Sequence, residues 1–316
     1  MRTLFSKIIR WGFICLTLAL ALQQEALATA SDAHIQFVST YLQPGTAQPS
    51  FNYMPELLNH VSAAHMGPQY FGQVRSTLQG RQAIIDVADE FFDFKKNVGA
   101  LFPDYQQRAE ALSDKYFKGY EQNILAFYIA DEPTGYGITR DSLELVIKEL
   151  KTRFPHIPTY IVYYADCFDN SPTMDAKCGL NGQRGLPADL DWVGFDWYLE
   201  GAPANDTANF KKQIIDTTKR LEALTSKRIV VVPDGTDEFL THYSAKDRET
   251  IMTQRLQLFL DFADADKQVI GIDNYAWADH KEIMYDVDTF IRGTRDYPMA
   301  RDLLFKYSQS VLPKTP

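Results

Sequence analysis

From residue 124 onward the sequence alternates short apolar runs with longer amphipathic stretches, and this alternation limits the fold more than any other feature. The runs fall at 124–130, 159–165, 192–198, 228–233 and 268–275. Each is rich in β-branched and aromatic residues, as strands covered on both faces are. Between them, helical patterns occupy roughly 139–154, 207–224 and 245–263, with a last helix near 300–309. Strands separated by helical stretches of that length pair in parallel through crossover helices.

The first half is less regular. Residues 34–41 read as strand one and 70–75 as strand two. From 81 to 120 the pattern reads as helical, with Ile84, Ile85, Val87, Ala88, Phe91 and Phe92 forming one stripe. No third strand stands out there. The expected fold is α/β, a (β/α)8 TIM barrel irregular in its first half.

Arg2, Lys7 and Arg10 precede an apolar run from 11 to 22, and Ala26-Leu27-Ala28 and Ala28-Thr29-Ala30 fit the small-residue cleavage rule. Residues 1–30 therefore read as a cleavable signal peptide, since the run is too short to span a bilayer, and the protein is expected to be secreted or periplasmic. Residues 31–316 lack a Gly/Ser- or Pro-rich linker and are near the ~250 residues usual for an eight-stranded barrel, so a single domain is expected.

Removing the leader's three basic residues and Glu25 from totals of 32 basic and 41 acidic leaves 29 and 40, a net charge of −11. Such a surface repels nucleic acid and anionic lipid, and no stable membrane insertion is expected. A neutral partner such as a carbohydrate suits it better. The two cysteines left, Cys167 and Cys178, are expected to form a disulfide in an oxidising compartment, worth roughly 3 kcal/mol in the chain-entropy account. His34, His60, His65, His156, His242 and His280 are scattered without metal-ligand spacing, so neither a metal nor another cofactor is expected.

The chemistry concentrates at strand ends. The run 124–130 stops at Asp131 and Glu132, followed by Pro133, which has no amide to continue the ladder. In α/β barrels that rim binds ligands, and two adjacent carboxylates are costly there without a purpose. Two later strands nearly repeat each other: Val193-Gly-Phe-Asp-Trp-Tyr198 and Ile270-Gly-Ile-Asp-Asn-Tyr275. Alternation places Gly194, Asp196 and Tyr198 on one face, and Gly271, Asp273, Tyr275 and Trp277 likewise. By the same parity Ala126, Tyr128, Ala130 and Glu132 point inward. Each Asp-x-Tyr motif taken alone also fits a strand-end turn that caps a helix.

These strands resemble those of clan A barrel glycoside hydrolases. Phe127-Tyr-Ile-Ala-Asp-Glu-Pro133 is similar to their fourth strand, which carries the acid/base Glu before a Pro. Gly194-Phe-Asp-Trp-Tyr198 is similar to the sixth, and Asp273-Asn-Tyr-Ala-Trp277 to the eighth, whose Trp supports the sugar. The resemblance implies a secreted enzyme cleaving O-glycosidic bonds, with Glu132 as general acid. Tyr128, Asp131, Tyr164, Tyr198, Asp273, Asn274 and Trp277 would bind substrate. Glycoside cleavage needs one protonated carboxyl for the leaving oxygen and one carboxylate for the cationic ring.

The sequence departs from the family at strand seven, where a nucleophilic Glu is usual. Here the strand ends Val232-Pro-Asp-Gly-Thr-Asp-Glu238. Asp234 is the nearest replacement and Asp196 the next. Two other readings fit. Adjacent Asp-Glu on strand four resembles substrate-assisted hexosaminidases, in which the Asp orients the sugar acetamido group and the Glu is the acid. A non-catalytic carbohydrate-binding barrel would keep the aromatic residues after losing a carboxylate.

Overall fold

The computed structural model describes residues 34–42, 53–57, 59–94, 98–168, 178–179, 185–197, 207–278, 280–284 and 287–311. The expected leader lies outside them. Eight parallel strands form a nearly closed barrel: β1 Phe37–Thr40, β2 Ala63–Met66, β3 Gln82–Asp86, β4 Ile124–Asp131, β5 Thr159–Tyr164, β6 Trp192–Asp196, β7 Arg228–Val232 and β8 Val269–Asn274. Helices interleave with them: α1 Pro68–Val74, α2 Tyr105–Leu112, α3 Arg140–Arg153, α4 Thr207–Leu224, α5 Ala245–Ala265 and α6 Pro298–Val311. This is the expected (β/α)8 architecture. Among the described residues, no helix is long and apolar enough to cross a membrane.

The second half follows its pattern closely. The Thr139 side chain accepts from the Ser142 amide at the start of α3, and Ser244 accepts from Asp247 at the start of α5, both satisfying orphan helix donors. The first half differs in two places. The expected strand at 70–75 is α1: Pro68 sits at the first helical turn, where its missing amide costs nothing, and Tyr70, Phe71 and Val74 bury one helical face. The second strand is instead Ala63–Met66, buried along its whole length. The third strand begins the stripe that reads as helical. Gln82–Asp86 forms β3, and Ala88–Phe91 turns into a short helix with no glycine or proline between them to mark the change.

The β1–β2 seam is the weakest join in the barrel. β1 pairs fully with β8, but its pairing with β2 is reduced to an isolated bridge, Tyr41 to His65, with the Leu42 amide donating to the His65 carbonyl at 2.7 Å and the Ser62 amide to the Val38 carbonyl at 3.0 Å. Ser62 supplements it, since its hydroxyl accepts from the Val38 amide at 3.0 Å.

The apolar core has two parts. The larger lies between barrel and helices; the smaller fills the barrel with Phe37, Ile84, Tyr128, Tyr160, Val162, Trp192 and Val230 among others. Gly194 and Gly271 face this interior, as alternation implied. A Cβ on Gly271 would overlap the Phe37 ring, and one on Gly194 would lie 2.7 Å from the Tyr160 hydroxyl and 2.8 Å from Val162 Cγ2. Large rings fill the barrel because these strands leave room for them. Cys167 and Cys178 are joined as a disulfide, with their Cα atoms 5.3 Å apart.

Gly194→Ala is therefore expected to destabilise the fold by about 1–3 kcal/mol through overpacking. The check is chemical denaturation; an unchanged midpoint would mean that Tyr160 has free space to yield.

Candidate active site

The carboxyl ends of the strands gather acidic and aromatic side chains around one mouth. Interior positions alternate along β1, β2 and β3, so Ser39, Tyr41, His65 and Asp86 end on the barrel side. Asp273 lies beneath them, fully buried, accepting from Ser39 Oγ at 2.6 Å and bonded to His65 Nδ1 at 2.8 Å. The His65 ring stacks on Tyr41 with centroids 3.7 Å apart and meets Tyr128 edge-on at 4.6 Å. Tyr41 meets Tyr128 edge-on with centroids 5.9 Å apart, and Tyr128 Oη donates to Asp131 Oδ1 at 2.5 Å.

β4 departs from simple alternation at the decisive point. Its register with β5 shifts between Tyr128 and Ala130. Tyr128 belongs to the barrel interior, whereas both Ile129 and Ala130 pack in the outer core. Ala130 thus points outward, against expectation, and Asp131 turns inward. Glu132 then adopts a left-handed backbone, φ +37°, with its amide bonded to the Val162 carbonyl at 3.1 Å. That conformation costs a non-glycine residue about 1–3 kcal/mol. It brings the Glu132 carboxyl near Asp196, close enough for its charge to act on that group. Two consecutive carboxylates consequently enter the same mouth, although neighbours on a regular strand face opposite sides.

The electrostatics follow from this crowding. Burial, then the charges of Glu132 and Asp131, push Asp196 well above the usual carboxylate range. Burial also pushes Asp86 up to about 6, against the opposing pull of His65. Tyr41, Tyr128 and Tyr160 are all raised, first by burial and then by the surrounding carboxylates, so they remain neutral hydroxyls at ordinary pH. Asp196 is thus favoured in its protonated form, because a like charge on Glu132 resists its ionisation. Of the two, Glu132 is the more exposed and can meet a ligand at the mouth.

Other expected site residues are placed differently. Asp234 Oδ2 accepts from Arg255 Nη1 of α5 at 3.0 Å, and its Oδ1 accepts from the Thr236 amide at 3.1 Å and hydroxyl at 3.0 Å. Its carboxylate is turned to the helix layer and is not brought to the Glu132 pair. Burial raises Asp234 despite Arg255 and lowers Arg255 despite Asp234, as in a desolvated ion pair. Asn274 is buried and donates to Thr294 Oγ1 at 2.9 Å, tying β8 to the following loop. Trp277 is 1% exposed and stacks on Phe305 of α6 at 5.4 Å, in the outer core. Alternation does not persist past Asn274: Ala276 joins the interior cluster while Trp277 leaves it. Trp277 is thus placed apart from the interior cluster that holds Tyr41 and Tyr128. Tyr164 ends β5 in register with Asp196, and Tyr275 packs edge-on to Tyr41 at 5.2 Å. Tyr198 lies outside the described residues.

Sequence reasoning missed Ser39, Tyr41, His65, Asp86 and Tyr160 as members of the site. Alternation along β1 and β5 could have found Tyr41 and Tyr160. His65 and Asp86 lie on strands that were not recognised.

Among the described residues, no group of His, Cys, Asp and Glu has metal-binding geometry. No protein-family model matches the sequence, nor does any curated protein. Solved structures do share its fold. A β-glucuronidase from an uncultured Clostridium species aligns with a TM-score of 0.59 at 12% identity, over 87% of this chain and 50% of that one. A Ruminococcus gnavus β-glucuronidase in complex with a C6-substituted uronic isofagomine gives 0.57 at 13%, over 86% and 49%. A glucosidase from Croceicoccus marinus gives 0.57 at 12%, over 88% and 68%. The chain thus spans about half the length of these β-glucuronidases. At such identities the likeness concerns the barrel alone.

The raised carboxyls carry a consequence for stability. A group that holds its proton more tightly when folded stabilises the fold below its unfolded pKa, about 4, and loses that contribution as pH rises through the folded value. Asp196→Asn removes this titration while keeping the side chain's shape. Its melting temperature relative to the parent is expected to rise between pH 4 and pH 8. A difference independent of pH would show that Asp196 is not held protonated.

Proposed function

We propose that the chain is an exported glycoside hydrolase in which Glu132, beside Asp196, is the general acid, and Asp131 orients a participating acetamido group of the substrate. The observation that carries this reading is the entry of Asp131 and Glu132 into one mouth, while both oxygens of Asp234 are held by Arg255 and Thr236. A strand-seven nucleophile would need a carboxylate facing that mouth.

Glu132 protonates the glycosidic oxygen as the bond to the anomeric carbon breaks. The carbonyl oxygen of the sugar's own 2-acetamido group attacks that carbon, closing a bicyclic oxazolinium ion. Asp131, held by Tyr128, accepts from the acetamido N–H and stabilises its developing positive charge. Water then opens the ring as Glu132 takes its proton back, and the sugar is released with net retention. The apolar leader and the Cys167–Cys178 disulfide support an extracytoplasmic setting.

Aryl glycosides with and without a 2-acetamido group test this directly. The acetamido substrate is expected to be cleaved, with Glu132→Gln and Asp131→Asn each lowering turnover by ~10²-fold or more at unchanged folding. Equal turnover of glycosides that lack the acetamido group would remove Asp131 from its role. Sugar binding with no turnover by the parent protein would instead identify a non-catalytic carbohydrate-binding barrel.

A further inference from the structure

Glu132 holds a backbone conformation that side-chain-bearing residues rarely adopt, φ +37°, at the point where β4 ends. Such a conformation persists only where its surroundings impose it. Backbone hydrogen bonds do part of this. The Glu132 amide donates to the Val162 carbonyl of β5 at 3.1 Å, the Glu132 carbonyl accepts from the Gly135 amide at 2.9 Å, and the Pro133 carbonyl accepts from the Ile138 amide at 2.9 Å. The last two are local. They fold the turn on itself without setting its place on the barrel.

A side-chain contact ties the same turn to the segment beyond β5. Thr134 is 5% exposed, and its Oγ1 lies 3.5 Å from Sγ of Cys167, in the short turn Ala165–Phe168. Cys167 is bonded to Cys178 and has no S–H, so the threonine hydroxyl donates and the sulfur accepts. Sulfur is a weak acceptor, and the bond alone adds little. What matters is the support behind it. Both cysteines are buried, so Thr134 rests on a covalently cross-linked segment rather than on a free loop end.

We infer that the Cys167–Cys178 disulfide and Thr134 are positioning residues for Glu132, holding the turn after β4 so that the acid stays beside Asp196. This deepens the proposed function and rests on the same acid. The turn is held to β5 and its extension at two points: Val162 takes the Glu132 amide, and Cys167 takes the Thr134 hydroxyl. Without the disulfide, the segment after β5 loses its cross-link and Thr134 its fixed partner. Glu132 then relaxes to an ordinary backbone and turns its carboxyl away from Asp196. A reacting group misplaced by about 1 Å can cost ~10²-fold in rate.

The test asks whether Glu132 still senses Asp196 when the disulfide is gone. The Glu132 carboxyl is titrated by its ¹³C resonance, assigned by its loss in Glu132→Gln. Titrations are run in the parent chain and in Cys167→Ala/Cys178→Ala, each with and without Asp196→Asn, at a temperature where all remain folded. In the parent, Asp196→Asn is expected to shift the Glu132 titration; without the disulfide that shift is expected to be lost. Thr134→Val, which keeps the shape and removes the hydroxyl, is expected to weaken it, and Thr134→Ser to retain it. Leu304→Ala, at a fully buried position of α6, loosens the fold elsewhere and is expected to leave it intact.

A Glu132 titration indifferent to Asp196→Asn in the parent overturns the inference, as does an equal shift with and without the disulfide. Loss of the shift in Leu304→Ala also overturns it, since stability alone would then account for the effect. If the double alanine variant does not fold, Thr134→Val against Thr134→Ser decides. Turnover of the acetamido aryl glycoside is measured alongside, and is expected to fall by about tenfold or more without the disulfide at nearly unchanged KM. A disulfide-dependent shift in a parent without turnover removes the hydrolase and keeps the positioning; turnover and shift that both survive loss of the disulfide do the opposite.

Discussion

A buried aspartate holds the barrel closed. Asp273 on β8 accepts from Ser39 on β1 and bonds to His65 on β2, spanning the seam where β1 and β2 share a single bridge. Without a full ladder at that seam, side chains must fix the spacing of the strands, and a carboxylate with two acceptor oxygens can hold two strands at once. The stack of His65 on Tyr41 follows from this clamp, as does the contact of both rings with Tyr128. The opening of the barrel is therefore built on a buried carboxyl that also acts on Tyr41 and Tyr160.

That arrangement works against stability. Asp86 and Asp196 are driven toward their neutral forms by burial, and Glu132 holds a left-handed backbone. The same protein pairs Asp234 and Asp237 with arginines and packs Phe37 and Tyr160 closely against glycine-bearing strands. Desolvated acids and a left-handed backbone thus gather at the mouth. This distribution suits a site whose groups await a ligand, because the interactions absent from the free protein are those a substrate can supply.

Much of this was legible in the sequence where strand and helix patterns differ in length and period. Strands β4 to β8 and the helices between them follow their apolar runs, and the inward set Gly194, Asp196, Gly271 and Asp273 follows from alternation alone. Illegibility began where the local signal served two structures. Ile84 to Phe92 satisfies a helical stripe, yet its first part is strand because β4 offers it a ladder. Ala63–Met66 has little strand propensity and is defined by burial against β1 and β3 rather than by its own residues. Alternation also fails where the backbone leaves the regular strand: after Tyr128 it moves Ala130 outward and Asp131 inward, and after Asn274 it sends Trp277 to Phe305. No sequence period reports such departures.

The shift in β4 and the turn at Glu132 make sense only together. A regular strand would have delivered one of the two adjacent carboxylates to the mouth and the other to the helix layer, where an unpaired charge is costly. The register shift rotates Asp131 inward. By itself it would also send Glu132 outward, toward the helix layer. The left-handed conformation reverses that second rotation and returns Glu132 to Asp196. Pro133, which cannot extend the ladder, releases the backbone to make the turn. The Asp-Glu-Pro sequence thus points two consecutive acids the same way, at a backbone cost borne by Glu132.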